Sequence, residues 1–157
     1  MPLFSDRKSA APDHMPPPSL PLLALELRAP WEFAAVLPAW PVLQRAPLGD
    51  GHTVIVFPGL TAGDTTTLPL RRYLESRNYN TLGWGQGLNL GPREGVLENA
   101  KAQLQQAADA SGNKVSLVGW SLGGIYAREL AKEMPDLVRC VVTLGTPFAG
   151  PHTSTNA

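Results

Sequence analysis

Ser121 lies between two glycines in Gly119-Trp120-Ser121-Leu122-Gly123, a G-x-S-x-G pattern. An apolar, partly β-branched run at 115–118 precedes it and a helical apolar periodicity follows, so the spacing predicts a strand turning sharply into a helix with Ser121 at the tip. A residue on such a tip is held at strained backbone angles. Side chains two residues to either side would strike the neighbouring elements, which is why glycine is required at 119 and 123. The chemistry this arrangement suits is nucleophilic, a serine hydroxyl standing exposed above a sheet edge and attacking an electrophilic carbonyl. The competing interpretation is a glycine-rich strand-to-helix turn with no chemistry of its own.

The elements that would position Ser121 are readable along the chain. Thr53–Phe57 is an apolar strand bounded by Gly51 and by Pro58-Gly59, followed by a Thr-rich turn and a helix expected to start near Thr67 to Pro69, with Leu70, Tyr73 and Leu74 on its apolar face. Asn80–Leu82 begins a second strand that runs into the glycine-rich loop at 83–92. That loop fails the dinucleotide fingerprint, because the last glycine position of G-x-G-x-x-G falls on Leu88 or Leu90. Leu97, Ala100, Leu104, Ala107 and Ala108 then mark an amphipathic helix ending near Ser111-Gly112. Beyond Ser121, a helix with Ala127, Leu130, Ala131 and Met134 on one face closes at Pro135, and 137–144 reads as a fourth strand. Alternating strands and helices predict an α/β fold, a mainly parallel sheet with helices on both faces.

Composition limits the remaining possibilities. The 157 residues allow one domain, and 13 basic residues balance 13 acidic ones, so no nucleic-acid partner is indicated. The single cysteine, Cys140, excludes an internal disulfide framework and Cys-based zinc sites, and its place in an apolar strand suggests a buried, inert thiol. No metal cluster or phosphate loop is present, so no cofactor is implied. The apolar stretch at 20–25 is far short of the ~20 residues of a membrane span and lacks the flanks of a secretory signal, giving a cytoplasmic protein without an integral membrane segment as the expectation. Residues 1–18, rich in proline, read as a disordered tail; 19–50 as an N-terminal helical segment broken by Pro30, Pro38 and Pro41; and 51–157 as the domain carrying the serine turn.

With the serine turn set inside a strand-helix-strand pattern, the chain resembles the α/β-hydrolase superfamily, most closely its lipase and esterase-like members. Three further segments carry the resemblance: VIVFPGL at 54–60, GWGQGLNLGP at 83–92 and LGTPFAG at 144–150. The resemblance implies Ser121 as the nucleophile and the backbone N–H groups of Leu122 and Leu60 as the oxyanion donors. Pro58-Gly59 stands where many lipases have His-Gly, a tolerable departure because the donor is backbone. The implied reaction is acyl transfer from a small-molecule or lipid ester through an acyl-enzyme.

In that family the acid and the histidine follow the serine in the chain, and beyond the helix that leaves Ser121 only Asp136 and His152 do so here. Asp136 is excluded by geometry, since the intervening helix carries the chain about 18 Å away, at ~1.5 Å per residue, toward the opposite sheet edge. His152 follows a strand that returns to the correct edge, yet in the family the acid and base follow later strands. It reads as a loop residue first and a base second, while His52 and His14 are not partners. The simplest account is an incomplete α/β-hydrolase fold, the N-terminal portion of a longer hydrolase lacking two further βα units of ~30 residues each. The strand after the serine turn would then be an exposed apolar edge, and self-association is expected. Two alternatives stay open: a non-catalytic hydrolase-like protein that binds a partner or an apolar ligand, and an acyltransferase using the same serine.

Overall fold

A computed structural model describes residues 36–147, with side chains from Pro38 onward. The expected tail at 1–18, most of the segment expected at 19–50, and His152 lie outside the described residues. Residues 40–147 lie in one compact unit. The elements are α1 (Val36–Leu43), β1 (Thr53–Phe57), α2 (Asp64–Ser76), β2 (Asn80–Leu82), α3 (Val96–Ser111), β3 (Val115–Trp120), α4 (Leu122–Glu133) and β4 (Val138–Leu144).

The four strands form one sheet in the order β2-β1-β3-β4, and every pairing is parallel. Parallel strands need a crossover, and here each crossover is a helix. β1 is buried along its whole length, as expected of a central parallel strand covered on both faces. On one face Ile55, Phe57, Val115 and Leu117 pack against Ala100, Leu104 and Ala107 of α3 and Tyr126, Ala127 and Leu130 of α4. On the other, Val54, Val56 and Val118 meet Leu70 and Leu74 of α2 and Tyr79. Truncating a fully buried side chain such as Leu117 to alanine would cost about 2–5 kcal/mol.

Two local expectations need correction. α2 begins at Asp64, so Pro69 lies inside the helix rather than in its first turn. The start is set by Gly63 and Thr66: the Thr66 hydroxyl donates to the Gly63 carbonyl and accepts from the Gly63 N–H, occupying groups that a helix start leaves unpaired. In α1, Pro41 is accommodated inside the helix instead of ending it, and Pro38 falls in its first turn. α1 is tied to α2 through the Tyr73 hydroxyl, which donates to the Leu43 carbonyl at 3.0 Å, and through the edge contact of Trp40 with Tyr73. No helix among the described residues is long and apolar enough to cross a membrane.

Candidate active site

Ser121 has φ 50° and ψ −118°, a positive φ that a non-glycine residue rarely adopts. Such strain costs about 1–3 kcal/mol and persists only where the surroundings over-determine it. They do so here. The Ser121 N–H donates to the Leu144 carbonyl at 2.8 Å, while its own carbonyl accepts from the Gly124 N–H at 3.0 Å and the Thr146 hydroxyl at 2.9 Å.

The glycines flanking the turn are required by contact. A Cβ on Gly119 would lie 2.3 Å from Gly124 Cα, and one on Gly123 would lie 2.3 Å from the Phe57 carbonyl oxygen. Gly124, which the pattern does not include, is confined by a side chain, because its Cβ would meet Thr146 Oγ1 at 2.0 Å. The β3–α4 turn is thus wedged against the end of β1 and the residues after β4.

Ser121 precedes the first residue of α4, so it sits at the helix end that carries the unpaired N–H groups and the positive end of the helix dipole. Leu122 supplies the first of those N–H groups. From the other side comes the loop after β1, where a Cβ on Gly59 would sit 3.4 Å from Ser121 Cβ. The next N–H, that of Leu60, is taken by no acceptor among the described residues. Ser121, Leu60, Leu122, Gly119 and Gly123 are therefore gathered at one end of the sheet.

The other candidates are not. Asp136 lies exposed in the turn before β4, and the parallel register of β3 and β4 puts that turn at the end of the sheet opposite Ser121. His52, the one histidine among the described residues, is also at that far end. Its Nδ1 is hydrogen-bonded to the Asp50 carboxylate and its Nε2 pairs with Ser116 Oγ at 2.7 Å. The His52 hydrogen bond, with Arg139 adding to it, holds the Asp50 carboxyl well below the usual carboxylate range. The Cys140 thiol donates to the same Ser116 hydroxyl at 3.2 Å, and Cys140 is exposed rather than buried, because among the described residues no helix covers its side of β4.

The two tryptophans near the serine turn separate clearly. Trp84 is core, stacked on Tyr126 with its indole N–H donating to the Gly87 carbonyl. Trp120 is 46% exposed and lies against Gly59, with Leu60, Leu88 and Leu90 also exposed on the loops at this end of the sheet. Among the described residues no cluster of His, Cys, Asp and Glu could hold a metal ion.

Sequence reasoning passes over Asn89. It is fully buried beneath the loop after β1, and its side-chain amide donates to the Pro58 carbonyl at 2.8 Å.

No family model matches the chain. Over 104 residues it is 32% identical to the polyketide synthase ThaQ of Burkholderia thailandensis, a stretch that is 62% of this chain and 5% of that protein. Over 108 residues it is 30% identical to the serine hydrolase BPHL of Mus musculus, covering 62% of this chain and 37% of that one. The mature form of the Bacillus licheniformis lipase BlEst2 superposes with a TM-score of 0.54 at 22% identity, covering 69% of this chain and 46% of the lipase. The chain spans less than half the length of each of these proteins. The likeness to the lipase is one of fold, and the four-stranded parallel sheet with its crossover helices is a partial fold of the α/β-hydrolase type.

Proposed function

We propose that the chain carries the nucleophilic part of a serine hydrolase that cleaves carboxylic esters through an acyl-enzyme on Ser121. The observation that carries this reading is the strained Ser121 backbone at the start of α4, with the Gly59-Leu60 loop in contact beside it. Strain of this kind is maintained against its cost by three hydrogen bonds and by close-packed glycines at 119, 123 and 124, which a plain turn does not need. The lipase neighbour and the serine hydrolase relative support an ester substrate.

In this mechanism Ser121 Oγ attacks the ester carbonyl carbon as its proton passes to an imidazole. The carbonyl oxygen becomes an oxyanion held by the N–H groups of Leu60 and Leu122. Collapse of the tetrahedral intermediate expels the alcohol, which takes up the proton, and water then releases the acid by the same route. The imidazole comes from outside the described residues, since His52, the one histidine among them, is at the far end of the sheet together with Asp136.

The test is labelling by a fluorophosphonate, which reacts with an activated serine. In the native source, a labelled product recognised by antibody to this chain, absent when Ser121→Ala is substituted in the same gene, is the expected result. An unlabelled but stable, folded product would overturn the reading in favour of a non-catalytic binding protein.

A further inference from the structure

The loop that faces Ser121, residues 58–62, contains little that would hold it in place by itself. Pro58 has no N–H, Gly59 has no side chain, Leu60 is partly exposed, and Thr61 adopts φ 58°. A loop of this kind needs an outside anchor, and one residue from the glycine-rich loop supplies it.

Asn89 makes four hydrogen bonds, and three of them fasten the 58–62 loop. Its Nδ2 donates to the Pro58 carbonyl at 2.8 Å, its backbone N–H donates to the Ala62 carbonyl at 2.8 Å, and its backbone carbonyl accepts from the Thr61 N–H at 2.7 Å. The fourth fixes Asn89 itself, as Oδ1 accepts from the Gly91 N–H at 3.2 Å. The orientation of the amide follows from its partners, because a carbonyl can only accept and an N–H can only donate. The Leu60 carbonyl is occupied by the Thr61 hydroxyl at 2.7 Å, and the Gly59 carbonyl by the Ala62 N–H at 3.2 Å. Bonds on both sides of Leu60 therefore fix the peptide whose N–H is left without an acceptor.

We propose that Asn89 is a positioning residue that holds the Leu60 N–H beside Ser121. The proposal rests on the acyl-enzyme reading for its consequence and on the loop geometry for its cause. Burying an amide at 0% exposure is costly unless its polar atoms are paired, and here the pairing spans two loops instead of one. Gly91, at φ 93°, turns its N–H back toward Oδ1, so the glycine-rich loop is shaped to deliver this side chain under Pro58. An oxyanion donor works only if its direction is fixed before charge develops, and Asn89 provides that fixing from outside the reacting atoms.

The experiment compares the full chain with Asn89→Ala and with the near-isosteric Asn89→Asp, which keeps the acceptor for Gly91 but places an oxygen against the Pro58 carbonyl. Fluorophosphonate labelling of Ser121 is followed to saturation to separate the maximal rate from the half-saturating concentration, and amide hydrogen exchange is read over 58–62. The expected result is a maximal rate lowered about ten- to hundred-fold in both variants, with the half-saturating concentration within about threefold of wild type. Exchange over 58–62 should rise about tenfold or more while β3 stays protected. Leu104→Ala, a core variant remote from the loop, controls for lost stability and should keep the wild-type maximal rate in its folded fraction. An unchanged labelling rate in a folded Asn89 variant, or unchanged exchange over 58–62, overturns the proposal. If wild type is not labelled at Ser121, the acyl-enzyme reading fails for this chain, and exchange over 58–62 alone decides whether Asn89 holds the loop.

Discussion

At Ser121 the chain accepts backbone strain, and the glycines around it differ in what they avoid. Gly123 keeps a Cβ away from the Phe57 and Pro58 carbonyls, which are backbone and cannot yield, whereas Gly124 avoids only the Thr146 side chain. The two should therefore respond differently to a second substitution. Gly123→Ala is expected to lower unfolding free energy by about 2 kcal/mol or more, because relief requires β1 and α4 to separate. Gly124→Ala should cost about as much alone, yet markedly less in a Thr146→Ala background, with a coupling of about 1 kcal/mol or more. Urea denaturation of the four single and double variants measures both. Additive costs at Gly124 and Thr146 would show that the contact is relieved by backbone movement. The hydroxyl of Thr146 also donates to the Ser121 carbonyl, so Thr146→Ala alone should cost about 1 kcal/mol through that lost bond.

Between elements, the opposite end of the sheet is joined by charge. Arg139 at the start of β4 donates to the Asp50 carboxylate at 2.7 Å, and Asp50 also holds His52, which pairs with Ser116 of β3. The Asp50 carboxyl is held below its ordinary value in the fold, so the unfolded chain binds its proton at a higher pH than the folded chain does. Its contribution to stability is therefore fully present above the ordinary carboxylate value of about 4 and is lost progressively as pH falls from there toward the depressed folded value. Asp50 is exposed, so the effect is screened and salt-sensitive. Wild type should melt higher than Asp50→Asn at pH 6, with the gap beginning to narrow as pH falls below about 4 and narrowing also in high salt; a gap independent of pH would remove the carboxylate from the account. Apart from the Asp50–His52 pair, this cluster was not legible locally, since its other partners lie 64 and 89 positions apart. The same limit hid Asn89, which meets Pro58 from 31 positions away. What could be read were the elements with local signals: β1 between Gly51 and Pro58, and α3 from its apolar spacing to its left-handed Gly112. The start of α2 was not readable because Pro69 is a common first-turn residue, and the Gly63–Thr66 pairing that sets the start has no strong compositional mark.

For the molecule as a whole, the two sheet edges are unequal. β2 has three residues, while β4 has seven, with Val142 and Leu144 exposed among the described residues. An extended edge strand presents a row of unpaired N–H and C=O groups, and apolar side chains beside it reward pairing with a second copy. Cys140 is exposed on the same strand, so no other described element covers the side of β4 away from α4 or its edge. Charge offers little protection, because Arg139, the basic residue within the strand, is already engaged by Asp50. The chain is therefore expected to self-associate through β4 in a concentration-dependent manner. Val142→Lys places a charge in the exposed apolar row without removing any core contact or any group near Ser121, and should shift the population toward monomer. Sedimentation velocity over about a hundredfold range of concentration reads both species. A wild-type chain that stays monomeric across that range would show that β4 is covered by the rest of its own chain, and Val142→Lys should then destabilise the monomer instead of dispersing an assembly.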